Sequence, residues 1–230
     1  MGLPKPLEQD LKIPRYADLQ CDSLGHDSIE HCFDRELFRS FGSVCYQFNE
    51  IGYRTKPIAE FTGREIVAIG DSFTLGLGVN AVDRWSDQLE LLTDLPVLNF
   101  SLNGASNDWI ARRTNDLLTW FSPAYVIVHW SFSHRRETAE PTWFDDERTE
   151  CEPGYEPQEN FNNWLHNFQS IHHDKVLHTA IPNWHDDFEY DLWPVMKPLR
   201  PIDLARDGFH YGPLTHRLLA EKITNLLGAL

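Results

Sequence analysis

Three residues could together perform nucleophilic chemistry. Ser72 stands in "GDSFTLG", while Asp207 and His210 lie three residues apart in "LARDGFHYGP". A serine hydroxyl is a weak nucleophile until a base takes its proton, and an imidazole with an ordinary pKa of about 6.5 suits that task near neutrality. A carboxylate accepting the other ring N–H fixes the tautomer and stabilises the imidazolium that forms. On a turn, the i, i+3 spacing lets one loop supply both base and orienting carboxylate. The expected chemistry is attack of Ser72 on an acyl carbonyl, through an acyl-enzyme, with no cofactor. Each residue also has a plainer reading: Asp71 or Ser72 capping a helix, Asp207 capping a turn, His210 at the surface.

The elements needed to place these residues are visible as patterns. "EIVAIG" is short, β-branched and followed at once by Gly70, which reads as a central parallel strand. Ser72 then falls on the turn at its carboxyl end, where open parallel sheets bind ligands. Gly70, Gly76 and Gly78 allow tight bending and close approach there. Further strands are expected at "VLNFS", "AYVIVHW" and "KVLHTAI", with amphipathic helices at "DRWSDQLELLTD", "SNDWIARRTNDLLTWF", "PQENFNNWLHNFQSI" and "PLTHRLLAEKITNLLGAL". With right-handed crossovers this alternation predicts a three-layer α/β/α sandwich around a mainly parallel sheet. Residues 1–62 read as an N-terminal extension packed on a main domain of residues 63–230, with a short helix at "SIEHCFDRELFR" and a strand or hairpin at "SVCYQFNEIGYRT".

Two long connections, residues 134–158 and 182–207, leave from the strand ends on the side of Ser72. Loops of such length are usually functional or mobile. They carry Trp143, Trp184 and Trp193, and flat aromatic rings suit sugar rings as well as they suit packing, so Trp184 and Trp193 are candidate substrate contacts. A metal site built from His166, His172, His173, His178 and His185 lacks a nearby Cys or an HExxH motif, and none is expected.

The formal net charge of −15 argues against nucleic acid as a partner, because phosphate binding needs a basic face. Between residues 140 and 191 thirteen acidic residues stand against two basic ones, a solvated face that would repel anionic polymers and membrane surfaces. The first fourteen residues lack the apolar core of a signal peptide, and no run approaches a membrane span, so a cytoplasmic location is expected. Cys21, Cys32, Cys45 and Cys151 show no CxxC spacing and are read as reduced thiols. Oligomeric state is not legible.

"GDSFTLG", "NFSLNGASND" and "DGFH" resemble, in order, the first, second and fifth sequence blocks of the SGNH (GDSL-type) hydrolases, over roughly residues 46–225. That resemblance implies a flavodoxin-like sheet and hydrolysis of esters, thioesters or acetylated sugars. Ser72 matches the nucleophile, Gly104 the second-block backbone donor, and Asp207 with His210 the rest of the triad. Gly104 follows Asn99 by five residues, as the family's second-block Gly follows its strand-end Asn. The third block departs, since "VIVHWSFSHRRE" has neither the Gly nor the Asn of Gly-x-Asn-Asp. Ser133 falls at the Asn position by counting, and Ser131 or Asn107 could serve as the side-chain oxyanion donor instead. The Trp-Ser-x-x-x-Arg run resembles phage-associated members, which implies a virion location as an alternative and, for Arg135 and Glu137, a structural ion pair in preference to substrate binding. The expected activity is a short-acyl serine esterase, with an O-acetylated carbohydrate as one substrate class. The rivals are a catalytically weak binding module, favoured if Ser72 is inaccessible, and an acyltransferase.

Overall fold

The structure is a computed structural model that describes residues 11–58, 62–137, 146–147, 157–171, 173–181 and 199–228. Every residue of Ile66–Gly70 is buried, as the unbroken apolar run requires of a strand covered on both faces. This strand, β1, pairs in parallel with β2 (Val97–Asn99) on one side and β3 (Tyr125–Trp130) on the other, and β3 pairs in parallel with β4 (Val176–Ala180). The order 2-1-3-4 is the flavodoxin-like one. In register, Ala68 faces both Asn99 and Ile127, so the edge strand β2 ends two residues before β1, while the central pair β1 and β3 runs on together to Gly70 opposite His129.

Four helices cover the sheet: α1 (Trp85–Thr93), α2 (Asn107–Phe121), α3 (Pro157–Ser170) and α4 (Pro213–Leu227). The step from β1 to β2 runs in the opposite direction to the later steps, so right-handed crossovers place α1 on one face and α2 and α3 on the other. The packing agrees, with α1 against α4 and α2 against α3. Each boundary has a local cause. Ser106 accepts the Trp109 N–H at 2.9 Å and starts α2, Asp94 takes the left-handed conformation that ends α1, and Pro213 occupies the first turn of α4. Large side chains such as Trp85, Trp109 and Trp130 lie fully buried, each burial contributing about 1.5–3 kcal/mol.

The N-terminal segment differs from its sequence pattern in the start of its helix. The helix expected from Ser28 covers only Arg35–Ser40, because Asp34 Oδ1 accepts the N–H groups of Glu36 and Leu37, both at 2.9 Å, and sets the start there. Of the strand or hairpin expected around Tyr46 the strand forms, two residues long and paired antiparallel with Gln20–Cys21. Leu11, Ile13, Tyr46, Ile51 and Tyr53 of this segment are buried with the sheet in one core. Among the described residues no helix is long and apolar enough to cross a membrane.

Candidate functional site

Beyond the carboxyl ends of β1 and β3 the strand order reverses, and there the three candidate residues meet. Ser72 opens the short helix Ser72–Leu75, immediately after β1, with Asp71 Oδ1 accepting the Phe73 N–H at 3.0 Å. Ser72 Oγ donates to His210 Nε2 across 2.8 Å, and His210 Nδ1 lies 2.5 Å from Asp207 Oδ2. The carboxylate partner places the proton on Nδ1, which leaves Nε2 as acceptor for the hydroxyl. All three are nearly enclosed, with Ser72 4% exposed, His210 2% and Asp207 0%.

The turn carrying base and carboxylate is built by the carboxylate itself. Asp207 Oδ1 accepts the N–H groups of Phe209 at 3.0 Å and His210 at 3.1 Å, which folds the chain so that Oδ2 meets the ring. Burial by itself raises the Asp207 carboxyl, but the hydrogen bond and charge of His210, with those two N–H groups, outweigh it and hold the carboxyl below the usual range. Gly208 has φ of +77°, and a Cβ there would stand 2.7 Å from Asp34 Cβ. Only glycine fits where the N-terminal segment presses on this turn.

That segment is part of the site's frame, which the sequence patterns did not show. Asp27 is fully buried and accepts from Arg206 Nε at 2.6 Å and Arg206 Nη2 at 2.8 Å, while Tyr46 Oη donates to it as well. The Tyr46 oxygen in turn accepts the Gly78 N–H at 2.7 Å, and the Phe33 N–H donates to the Asp207 carbonyl at 2.7 Å. Arg54 donates to the carbonyls of Gly76 at 2.7 Å and Val79 at 2.9 Å, holding the turn after Ser72; burial, then the charge of Arg84, lowers its pKa to about 9. Arg206 beside Asp207 was the one available sequence signal.

The oxyanion candidates divide. Gly104 takes φ of +78° in the loop before α2, and neither its N–H nor that of Ser72 meets an acceptor among the described residues. The Ser131 hydroxyl is turned elsewhere, donating to Asp71 Oδ2 at 2.6 Å. The Asn107 amide clamps the chain after β3, donating to the Phe132 carbonyl at 2.9 Å and accepting the Ser131 N–H at 3.0 Å. Ser133 is half-buried, and its hydroxyl makes no hydrogen bond among the described residues. The ion pair expected between Arg135 and Glu137 is replaced by two others: Arg135 Nη1 reaches Asp71 Oδ2 at 3.3 Å, and Arg112 holds Glu137 at 2.5 Å. The reason is reach, since Asp71 lies buried beside the chain leaving β3. Trp143, Trp184 and Trp193 lie outside the described residues, as do Cys151, His172 and His185.

A cleft of about 980 Å³ between the N-terminal segment and α1 contains none of the triad. Two ion pairs stand in its lining, Lys56 on Glu90 and Arg84 on Asp87, both at 2.8 Å.

No family model matches the chain, and no curated protein matches it. Solved structures similar to it include the psychrotrophic esterase EstA from Pseudoalteromonas sp., 14% identical with a TM-score of 0.45, covering 72% of this chain and 97% of that one. TesA is 16% identical with a TM-score of 0.48 over 72% and 99% of the two chains. The lipase/acylhydrolase from Enterococcus faecalis is 16% identical with a TM-score of 0.46 over 72% and 96%. At such identities and scores these similarities assign neither activity nor residue roles to the chain.

Proposed function

We propose that this protein is a serine ester hydrolase. The observation that carries the reading is the relay from Ser72 Oγ through His210 to Asp207, at 2.8 and 2.5 Å, placed at the point where the strand order reverses. Ser72 Oγ attacks the ester carbonyl carbon as its proton passes to His210 Nε2. The oxyanion forms against the N–H groups of Ser72 and Gly104, with the Ser133 hydroxyl as the side-chain donor. The tetrahedral intermediate collapses, the alcohol departs with the proton from Nε2, and the acyl group stays on Ser72. A water, deprotonated by His210, then attacks the acyl carbon; the acid leaves and Ser72 regains its proton. Asp207, held ionised, stabilises the imidazolium in both halves. No cofactor enters these steps. A short acyl group is the substrate element this reading specifies. An O-acetylated carbohydrate is the reading of the loop tryptophans in the sequence alone, which lie outside the described residues; the phenylalanine rings beside His210 favour an apolar alcohol instead.

Fluorophosphonate labelling tests the proposal. Wild-type protein takes up the probe and hydrolyses p-nitrophenyl acetate, while Ser72→Ala takes up none and Ser72→Ala or His210→Ala lowers turnover by at least about 10³-fold. The 4% exposure of Ser72 favours a second reading, a binding module that retains the relay without using it. Absence of labelling in wild-type protein decides for that module.

A further inference from the structure

Three phenylalanines from distant parts of the chain converge beside His210. Phe33 stacks on Phe209 with ring centres 5.0 Å apart and an interplanar angle of 28°, and Phe209 stacks on Phe132 at 6.4 Å and 20°. The Phe209 ring stands perpendicular to the His210 imidazole, 5.1 Å away at 87°, and Phe73 fills the space beneath with its ring 4.6 Å from the imidazole. Phe73 is buried, Phe132 and Phe209 are half-buried, and Phe33 is 62% exposed. A single exposed apolar residue needs no explanation, but here the exposed ring continues a stack that begins at the candidate base. The neighbours of the stack are Arg135, over the Phe132 ring at 4.9 Å, His134 against Phe132 at 5.4 Å and His26 against Phe33 at 5.3 Å.

Resting on the ester hydrolase reading, we propose that Phe33, Phe132 and Phe209 form an apolar wall that receives the alcohol portion of the ester, an alkyl or aryl alcohol larger than ethanol. The direction follows from the proton. His210 Nε2 takes the proton of Ser72 and must return it to the departing alcohol oxygen, so the alcohol's carbons leave from the imidazole side. The acyl group stays at the serine and its oxyanion donors. Phe209 is the chain neighbour of His210 and flanks its ring, so the wall meets the alcohol. An apolar alcohol laid along the rings removes their exposed carbon from water together with its own.

Matched acetates test this, because the acyl step is then common to all arms. Ethyl acetate and benzyl acetate carry alcohols of similar basicity, and butyl acetate separates alkyl from aryl preference. Wild-type protein is expected to show a kcat/KM for benzyl and butyl acetate at least about tenfold above that for ethyl acetate. Phe33→Ala, at an exposed position, is expected to raise KM for the two larger esters about tenfold at unchanged kcat, to leave ethyl acetate unaffected, and to be rescued by Phe33→Leu. Equal losses on all three esters would show that Phe33 only supports the turn at Asp207, and no loss on any would show that the alcohol lies elsewhere; either overturns the wall. Failure of the parent reading looks different: wild-type protein then neither takes up the fluorophosphonate nor hydrolyses any acetate. Uptake of the probe with an unchanged Phe33→Ala profile removes the wall alone.

Discussion

Replacing Asp27 by alanine should cost this protein more stability than any exposed ion pair could. Its carboxylate is 0% exposed and takes two hydrogen bonds from Arg206, at 2.6 and 2.8 Å, and one from the Tyr46 hydroxyl. Arg206 is itself 6% exposed, so Asp27→Ala leaves a guanidinium enclosed without its counter-charge and a tyrosine hydroxyl without its acceptor. Breaking a buried pair from one side costs about 3–5 kcal/mol, because the surviving charge keeps its desolvation penalty and loses its compensation. With a urea slope of about 2 kcal/mol per molar, the midpoint of unfolding should fall by about 2 M, followed by tryptophan fluorescence. The double replacement Asp27→Leu with Arg206→Met removes both charges and should recover most of the loss. A decrease for Asp27→Ala below about 1 kcal/mol, the range of a solvent-exposed pair, would refute the reasoning. So would a double variant as unstable as the single one. Because the Arg206 N–H also donates to the Gly78 carbonyl at 3.3 Å, one residue before Asp207, the same variant should lower kcat.

Asp207→Asn should reduce turnover by about 10⁴-fold with the fold intact, since an amide facing Nδ1 favours the wrong tautomer; circular dichroism and the rate on p-nitrophenyl acetate check both halves. Ser133→Ala should lower kcat by about 10²- to 10³-fold with little change in KM, as loss of a transition-state donor does, and unchanged kinetics would exclude it from the oxyanion site. His129 near the carboxyl end of β3 is fully enclosed, and burial lowers its pKa from 6.5 to about 4, against a smaller opposing effect of Asp71. The unfolded chain therefore takes the proton first. The contribution of His129 should be complete above pH 6.5 and be lost as pH falls from 6.5 to 4, about 3 kcal/mol that His129→Leu removes in denaturation series across pH, while the loss due to His216, whose pKa burial also lowers, remains.

Local pattern was enough for the elements that local physics governs. Ile66–Gly70 is a strand because an unbroken β-branched run can only be covered on both faces, and the alternation after it requires crossovers of one hand, whereas the 2-1-3-4 order is a choice of neighbours that only the tertiary structure makes. Asp207 and His210 were legible as a unit because one turn carries both, and Ser72 because it follows the strand directly. What the sequence could not show are contacts whose partners are far apart in the chain. Asp27 and Arg206 are 179 residues apart, and Ser131 and Asp71 are 60 apart. "WSFS" offers two hydroxyls with the same local chemistry, and only the packed position of Asp71 decides that Ser131 turns inward. The assembly of Phe33, Phe132 and Phe209 likewise carries no periodicity, since three separate turns bring the rings together. Periodic patterns report which face of an element is buried; the choice of neighbour on that face is made by close packing of the whole chain, and so exists only in the tertiary structure.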